Sequence, residues 1–301
     1  MSAEEAWGSV VSSYGHTQLV RTNCGALFNA TRKGKKNDIA VGDRVKIALT
    51  SQNTARIEEI APRKNLFFRQ DEWRIKTLAS NVDLLIALFS SVPAFNADFI
   101  WRALIAAHFA DIPALIIRNK TDVAEGAQKA KDFLEQCSAL GYRTLSISAK
   151  TAPESVIRDL ALRIQGKTCL LIGQSGMGKS TTLNRLIPDA RAKTQAYSVA
   201  LNAGKQTTTS STLYKIDEET NLIDTPGFQN FGLMHIEPAD LQKAMPDFLP
   251  YIGQCRFYNC LHDKEPGCSV KAAAAAGKIM ENRYRFYLRT LSALKSGKDR
   301  R

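Results

Sequence analysis

The sequence predicts a multidomain chain with a small OB-type β-barrel, an α/β domain on a mostly parallel sheet, and a mostly helical C-terminal domain. Three observations support this fold class. Short β-type segments fill the first seventy residues, apolar runs alternate with helical patterns in the middle, and a helical pattern with a Cys/His insert follows from about residue 238. A chain of 301 residues is long enough for such domains. We expect domains at 1–70, 71–233 and 234–301.

The N-terminal region contains five candidate strands and a basic loop at 32–36. The strands are predicted at 8–13, 18–20, 26–30, 43–48 and 55–60. Five short strands of this kind predict a Greek-key barrel of the OB type, a fold that often binds oligonucleotides. Other small barrels fit the pattern nearly as well.

The middle region alternates two kinds of segment. Apolar runs of strand length lie at 82–89, 114–117, 144–147, 168–172 and 221–223, and helical patterns lie at 99–109, 124–140, 154–164 and 179–186. This alternation predicts a parallel sheet covered by helices, with ligands bound beyond the carboxyl ends of its strands. The long stretch without periodicity at 191–211 is typical of a functional loop.

A glycine-rich segment of the form G-x-x-x-x-G-K-S connects the run 168–172 to the next helix. In such a loop, backbone N–H groups surround phosphate oxygens, the lysine reaches the β- and γ-phosphates, and the serine hydroxyl binds Mg²⁺. A purely structural glycine turn would not need the Lys-Ser pair. The candidate phosphate-binding residues are Gly173, Gln174, Ser175, Gly176, Met177, Gly178, Lys179, Ser180 and Thr181.

Two more loops at strand ends are candidates for binding a base. They contain Asn119, Lys120, Thr121 and Asp122 in the first loop, and Ser148, Ala149 and Lys150 in the second. The Asp122 carboxylate can accept hydrogen bonds from the N1–H and N2–H₂ groups of guanine. Adenine lacks this donor pair and would leave the carboxylate unpaired. We therefore expect GTP as substrate, with the Lys120 stem over the purine and Asn119 tying this loop to the phosphate side.

Two motifs are candidates for the magnesium shell. Asp224 begins an Asp-Thr-Pro-Gly motif and is expected to hold Mg²⁺ through water, while the N–H of Gly227 senses the γ-phosphate. The segment 204–209 is rich in threonine, and Thr208 is the candidate for completing the shell with Ser180. A plain turn and a flexible polar loop are the alternative interpretations.

The attacking water lacks its usual partner in this sequence. Ras-like GTPases place a glutamine after the glycine of the D-x-x-G motif, and this glutamine orients the water. Phe228 stands there and cannot do so. We expect slow basal hydrolysis unless Gln206, Gln229 or a partner macromolecule positions the water. The candidate catalytic residues are Lys179, Thr208 and Gln206.

The motif order is itself informative. Ras-like chains run from the phosphate loop through the threonine and D-x-x-G motifs to N-K-x-D and S-A-K, whereas this chain begins the same cycle at N-K-x-D. The order therefore predicts a circularly permuted GTPase domain. We also expect the segment after Gly227 to lead into the C-terminal domain and to transmit switch movement to it.

Four potential metal ligands are clustered in the C-terminal region: Cys255, Cys260, His262 and Cys268. Three thiolates and one imidazole suit a structural, tetrahedral Zn²⁺ site, and free buried thiols are the alternative. A basic pattern with three aromatic residues follows at 283–298. It fits a packed amphipathic helix, RNA contact or both.

The positive charge is concentrated at the two ends of the chain. Eleven Lys and Arg against six Asp and Glu give +5 in residues 1–69, residues 70–254 are neutral, and eleven against four give +7 in 255–301. This asymmetry favours a nucleic-acid partner for the ends. The acidic N-terminus is unlike a secretory signal, and the longest apolar run is too short to cross a membrane. We expect a cytoplasmic protein.

Together these residues resemble the RsgA (YjeQ) family of small ribosomal subunit biogenesis GTPases over nearly the whole chain. The resemblance rests on 119–122, 173–181 and the C-x₄-C-x-H-x₅-C pattern. It implies GTP hydrolysis stimulated by the small ribosomal subunit, action late in its maturation, rRNA contact, and a cytoplasmic monomer without membrane or DNA partners. The family usually has G-x-H-T-T-T in its switch. Gln206 replaces that histidine here, so the catalytic role of this position is open.

Two other functions remain as alternatives. One is a GTP-responsive module that binds RNA without hydrolysing GTP, which Phe228 and Gln206 would permit. The other is an ATP-driven nucleic-acid enzyme, against which Asp122 argues because its carboxylate suits guanine.

Overall fold

The structure is a computed structural model, and it describes residues 5–32, 38–70, 75–190, 197, 211–226 and 232–297. It confirms the predicted fold class. A β-barrel, an α/β domain with a mostly parallel sheet and a C-terminal domain with helices follow one another along the chain. Of the predicted loops, most of 32–36, nearly all of 191–211 and residues 227–229 lie outside the described residues.

The barrel consists of β1 (Glu5–Tyr14), β2 (Thr17–Thr22), β3 (Leu27–Arg32), β4 (Arg44–Leu49) and β5 (Thr54–Ile60). Its strands follow the order β1-β2-β3-β5-β4, and pairing of β1 with β4 closes the barrel. The β3–β5 pair is parallel, and the other pairs are antiparallel. Alternate apolar residues of each strand point inward and form a core of their own. These features define the five-stranded OB barrel that the sequence predicted.

A hairpin that the sequence did not reveal joins the barrel to the next domain. It pairs β6 (Leu66–Gln70) with β7 (Ile75–Ser80) in antiparallel register, with an irregularity between Phe67 and Phe68. Such an irregularity interrupts the strict alternation by which a strand is recognised. Below the hairpin, Arg63 forms a bidentate ion pair with the buried Asp43, and the Asn81 side chain donates to the Gly42 carbonyl over 2.9 Å.

The central sheet contains β8 (Leu84–Ser90), β9 (Ala114–Asn119), β10 (Arg143–Ser146), β11 (Thr168–Ile172), β12 (Thr212–Lys215) and β13 (Asn221–Asp224). Its order is β10-β9-β8-β11-β13-β12, and all neighbours are parallel except β12 and β13. The sequence did not predict β12. This strand also pairs with barrel strand β1, through Ser12 and Thr212, so the barrel continues the sheet.

Helices cover both faces of this sheet. They are α1 (Ala97–Phe109), α2 (Ala127–Ala139), α3 (Pro153–Ser155), a π-helical turn (Val156–Leu160), α4 (Ala161–Ile164) and α5 (Lys179–Leu186). The Asn96 side chain caps α1 by accepting from the N–H of Asp98. The apolar residues of the strands divide between two cores, one on each face. This arrangement leaves the loops at the carboxyl ends of β8, β9 and β11 free to build a site.

The C-terminal domain contains a 3-10 helix (Leu241–Ala244), α6 (Ser269–Ala275) and α7 (Glu281–Ser296). Phe286 and Tyr287 of α7 are buried in the core shared with α1, and Arg283 is buried as well. These three residues therefore form the packed face of an amphipathic helix, whereas Arg285 and Arg289 of the same helix are exposed, so RNA contact by its basic face stays a prediction. Among the described residues, no helix combines the length and apolar character needed to span a membrane.

Candidate nucleotide-binding and metal sites

The predicted nucleotide motifs come together at one edge of the central sheet. Strands β9 and β11 lie on either side of β8, and the loop that follows each of them runs toward the same edge. The loop after β10, which contains Ser148, lies beside the loop after β9. The sheet thus assembles segments that are far apart in sequence, as expected for a parallel α/β domain.

The phosphate loop fits tightly against the base-reading loop. The Asn119 side chain donates through Nδ2 to the Met177 carbonyl over 3.0 Å, and its Oδ1 accepts from the N–H of Ala149 over 3.1 Å. Gly178 has a positive φ of 98°, and a Cβ at this position would lie 2.2 Å from Asn119 Nδ2. Only glycine fits there. One buried amide therefore fixes the three loops relative to one another.

Lys120 adds a second connection between these loops. Its Nζ donates to the carbonyl oxygens of Val92 and Gly176, over 2.7 Å in each case. The side chain is thereby stretched across the space between the base-reading loop and the phosphate loop. This is the placement that a lysine stem needs in order to cover a purine ring. No sequence motif indicated Val92, because it contributes only a backbone carbonyl.

Asp122 lies exposed at the rim of the site, where it is held by the neighbouring loop. The Ser148 hydroxyl donates to its carboxylate, and the hydroxyls of Ser148 and Thr151 are 2.6 Å apart. The hydrogen bond from Ser148 is the main reason why the pKa of Asp122 is lowered. The carboxylate is therefore ionised at neutral pH and free to accept from a donor pair. Lys150 is exposed beside it, and Arg185 Nε donates to the Ala149 carbonyl over 3.0 Å.

Lys179 begins the helix that follows the phosphate loop, and its side chain is buried. Its Nζ donates to the carbonyl oxygens of Gly173 over 2.6 Å and Gln174 over 3.1 Å, so the ammonium lies inside the loop. Burial lowers the pKa of Lys179, and the nearby Asp224 opposes that shift. No carboxylate is hydrogen-bonded to this ammonium in the described part of the chain. A phosphate oxygen would supply the missing negative charge.

Asp224 ends β13 close to this lysine. Its Oδ1 atom is enclosed and has no hydrogen-bond partner within the described residues. Burial raises the pKa of Asp224 to about 6, although the charge of Lys179 acts in the opposite direction. An enclosed carboxylate oxygen without a donor is the arrangement that a cation relieves, so the residue fits a Mg²⁺ site. Ser180 is exposed at the start of α5, whereas Thr208 and Gln206 lie outside the described residues.

The four predicted zinc ligands form a single cluster. The potential donor atoms of Cys255, Cys260, His262 and Cys268 all lie within 4.8 Å of one another. His262 Nδ1 is 3.3 Å from the Cys268 sulfur and 3.6 Å from the Cys255 sulfur, and these two sulfurs are 3.9 Å apart. Zn–S bonds of about 2.3 Å and Zn–N bonds of about 2.1 Å in a tetrahedron produce separations of this size. The donor set therefore fits Zn²⁺.

Contacts behind the cluster hold its ligands in place. His262 Nε2 is 2.7 Å from the side-chain oxygen of Gln242, which fixes the ring so that Nδ1 faces the sulfurs. The Cys268 sulfur accepts from the N–H of Lys271 at the start of α6. The sequence did not indicate Gln242, because a lone glutamine has no characteristic spacing from the ligand it supports. The sequence did not indicate Asn96 as a site residue either. Its backbone N–H donates to the Gln174 side chain of the phosphate loop over 2.8 Å, and a backbone contact has no sequence motif.

Known proteins are similar to this chain over almost its whole length. The sequence model for RsgA GTPase matches residues 60–234. The small ribosomal subunit biogenesis GTPase RsgA of Bordetella pertussis (strain Tohama I) is 45% identical over 292 residues, which cover 97% of this chain and 97% of that protein. The protein of the same name from Burkholderia pseudomallei (strain K96243) is 42% identical over 285 residues, which cover 94% and 91%.

Two solved structures are similar as well. The crystal structure of YjeQ from Thermotoga maritima matches with a TM-score of 0.72 and 29% identity, over 97% of this chain and 99% of that one. The crystal structure of YloQ, described as a circularly permuted GTPase, matches with a TM-score of 0.70 and 25% identity, over 98% and 96%. These similarities agree with the permuted motif order and with the sheet that assembles the motifs.

Proposed function

This chain belongs to the RsgA GTPase family and hydrolyses GTP, and we propose that it does so on the small ribosomal subunit, late in maturation, with stimulation by the subunit. Two similarities support the proposal: curated relatives at 45% and 42% identity carry the name small ribosomal subunit biogenesis GTPase. The basic ends of the chain, with +5 and +7 around a neutral centre, suit contact with rRNA. We also propose domains at 1–70, 71–233 and 234–301, with the β6–β7 hairpin at the first junction.

The single observation that carries the nucleotide assignment is the set of contacts made by Asn119. This amide joins the phosphate loop at Met177 to the Ser148–Ala149–Lys150 loop. We assign residues 119–122 and 148–150 to the guanine base and residues 173–181 to the phosphates. In this assignment the ionised Asp122 accepts from the guanine edge, and the contacts of Asn119 hold the base-binding and phosphate-binding loops at a fixed distance from each other.

The catalytic assignment places Lys179 on the β- and γ-phosphates. Its ammonium lies within the loop on two carbonyl oxygens, where it can stabilise the charge of the leaving phosphates. Ser180, Thr208 and Asp224 would hold Mg²⁺, which neutralises phosphate charge when it is bound. The roles of Thr208 and of Gln206 as the residue that orients water rest on the sequence pattern alone.

Zinc has a structural role in this proposal. The four ligands leave no open position for substrate, and they connect the segment after the 3-10 helix to α6. We propose a monomeric cytoplasmic protein whose partner is the small subunit and its rRNA, without a DNA or membrane partner.

GTP turnover titrated with purified small and large subunits tests the proposal. Small subunits should raise turnover well above the rate of the free protein, and large subunits should not. The stimulation should fall steeply between a low and a high salt concentration because rRNA contact releases counterions. Equal turnover with small subunits, with large subunits and with neither would refute the proposed stimulation. As a test of base selection, Asp122→Asn should shift preference from guanosine to xanthosine nucleotide.

A further inference from the structure

The loop between the first two zinc ligands exposes two adjacent aromatic side chains. Tyr258 has a relative exposure of 102%, and Phe257 has 41%. Other aromatic residues of the same domain, including Phe248, Phe286 and Tyr287, are buried in its core. Metal binding requires only the cysteines at the two ends of this loop, so it does not account for aromatic side chains in solvent. Exposed aromatic surface of this kind is a common feature of binding sites.

The loop backbone is fixed from several directions. The N–H of Arg256 donates to the Gly267 carbonyl over 3.0 Å, and the N–H of Cys260 donates to the Phe257 carbonyl over 3.3 Å. Gly267 has a positive φ of 70°, and a Cβ there would lie 3.0 Å from the Cβ of Arg256. Zinc would fix both loop ends through Cys255 and Cys260. A rigid loop presents its side chains to a partner at a small entropic cost.

The charge around the loop is positive. The Arg256 guanidinium lies 5.6 Å from the centre of the Phe257 ring, and Lys264 is exposed. The nearby acidic residues are engaged within the domain. Glu265 accepts from the N–H groups of Leu261 and Asp263, and the Asp263 carboxylate lies 3.4 Å from Lys295 Nζ. Aromatic rings beside an arginine match the two features of single-stranded nucleic acid, a stack of bases and a chain of phosphates.

We propose that Tyr258 and Phe257 stack on an unpaired RNA base while Arg256 contacts an adjacent phosphate. This inference rests on the proposed function, because it assumes that RNA is the macromolecular partner. It adds a specific contact, made by the zinc loop and independent of the barrel. An apolar pocket on a protein is the competing partner. Such a pocket would accept any large apolar side chain at position 258, whereas a base requires a flat ring.

The test measures binding of the full-length, zinc-loaded protein to a fluorescein-labelled single-stranded RNA decamer. Tyr258→Ala should weaken binding about tenfold, within the range expected for the loss of one stacked base. Tyr258→Trp should bind like the wild type, and Tyr258→Leu should bind as poorly as the alanine variant. Arg256→Gln should reduce the slope of log affinity against log salt by about one. The matched control is Phe109→Ala, which removes an aromatic side chain of 37% exposure from the neutral segment 70–254.

The outcomes separate the inference from the proposed function. Unchanged RNA affinity in Tyr258→Ala, or full affinity in Tyr258→Leu, overturns the stacking contact. Zinc content and circular dichroism equal to the wild type show that a loss of affinity does not come from unfolding. Binding of wild-type protein to small subunits is measured separately. If that binding is absent while the decamer binds through Tyr258, the proposed function fails and the stacking contact stands.

Discussion

Arg283 and Lys179 are both buried cations, but their surroundings differ. Arg283 forms a bidentate ion pair with Asp247, with separations of 2.9 and 3.3 Å, and its guanidinium lies 4.3 Å from the centre of the Trp101 ring. Lys179 has only the carbonyl oxygens of its own loop as hydrogen-bond acceptors in the described part of the chain. The nearby Asp224 has an oxygen without a donor.

This difference separates a structural charge from a ligand-binding one. Burying a charge is expensive unless it is paired and hydrogen-bonded. Arg283 meets that requirement within the protein and thereby attaches α7 to α1. Lys179 has no hydrogen-bonded carboxylate and Asp224 has an oxygen without a donor in the described part of the chain. Phosphate would supply the missing negative charge for Lys179, and Mg²⁺ the missing positive charge for Asp224. Two substitutions to alanine should therefore have opposite consequences for stability and for activity.

Arg283→Ala should have the largest effect on stability. Removing the guanidinium leaves Asp247 buried without its partner and removes the contact with Trp101. Loss of one member of a buried pair costs about 3–5 kcal/mol. Hydrogen exchange of the α7 amides measures the loss as faster exchange through local unfolding. Arg285→Ala is the control, because Arg285 is exposed and, in the described part of the chain, pairs only with the exposed Glu281. Equal protection in the two variants would refute the structural role of Arg283.

Lys179→Ala should have the second largest effect, and it should fall on catalysis. Removal of one charge-stabilising donor lowers turnover by about 10²–10³-fold. The free energy of unfolding should change by less than about 1 kcal/mol, because the released carbonyl oxygens can bond to water. GTP turnover and urea denaturation of the same preparation measure both quantities. A loss of stability as large as that in Arg283→Ala would show that Lys179 is structural.

Asp224→Asn should change how stability depends on pH in protein without added Mg²⁺. Burial raises the pKa of Asp224 from 3.8 to about 6, so the unfolded chain loses this proton at a lower pH than the folded protein. The stabilisation from the bound proton is complete below about pH 4 and is lost as pH rises to about 6. Over that window the wild type should lose up to about 3 kcal/mol relative to Asp224→Asn.

Urea denaturation of both proteins at pH 4.5 and pH 7 measures about 2 kcal/mol of this difference, since part of the stabilisation is already lost at pH 4.5. Added Mg²⁺ should reduce it at pH 7, since a bound cation compensates the buried carboxylate. The same pH profile in both proteins would mean that Asp224 is solvated in the folded state.

The contrast also shows which features the sequence could predict. Asn119, Lys179 and Cys255 were identifiable because their chemistry depends on fixed spacing within one loop, and a loop is a local feature. The buried state of Arg283 was not identifiable, because Trp101 and Asp247 reach it only through tertiary packing. The residues of α7 alternate between basic and aromatic, and this pattern is compatible with a solvated face or a packed one.

The strands show the same limit. Strand β8 was predicted from the apolar run 82–89, and the structure buries all seven residues of the strand. Strand β12 has only four residues, and its position depends on pairing with β13 and β1. The closing pair of the barrel, β1 with β4, is likewise a contact between distant segments. The local sequence pattern predicted these barrel strands, but it could not predict that β1 pairs with β4, because the two strands are far apart in the sequence.

The ion pair between Asp98 and Arg289 should have the smallest effect, although it joins the same two helices as Arg283. The side chains of Asp98 and Arg289 have relative exposures of 38% and 58%, and the shortest distance between the guanidinium and the carboxylate is 2.8 Å. Exposed pairs of this kind contribute about 0.2–1 kcal/mol, and salt screens them. A double-mutant cycle of Asp98→Ala and Arg289→Ala, read by α7 hydrogen exchange at low and high salt, measures the coupling. Asp98 follows the cap residue Asn96, whose N–H contacts Gln174 of the phosphate loop. A salt-independent coupling above about 2 kcal/mol would therefore mean that the surface pair, rather than Arg283, links the zinc domain to the nucleotide site.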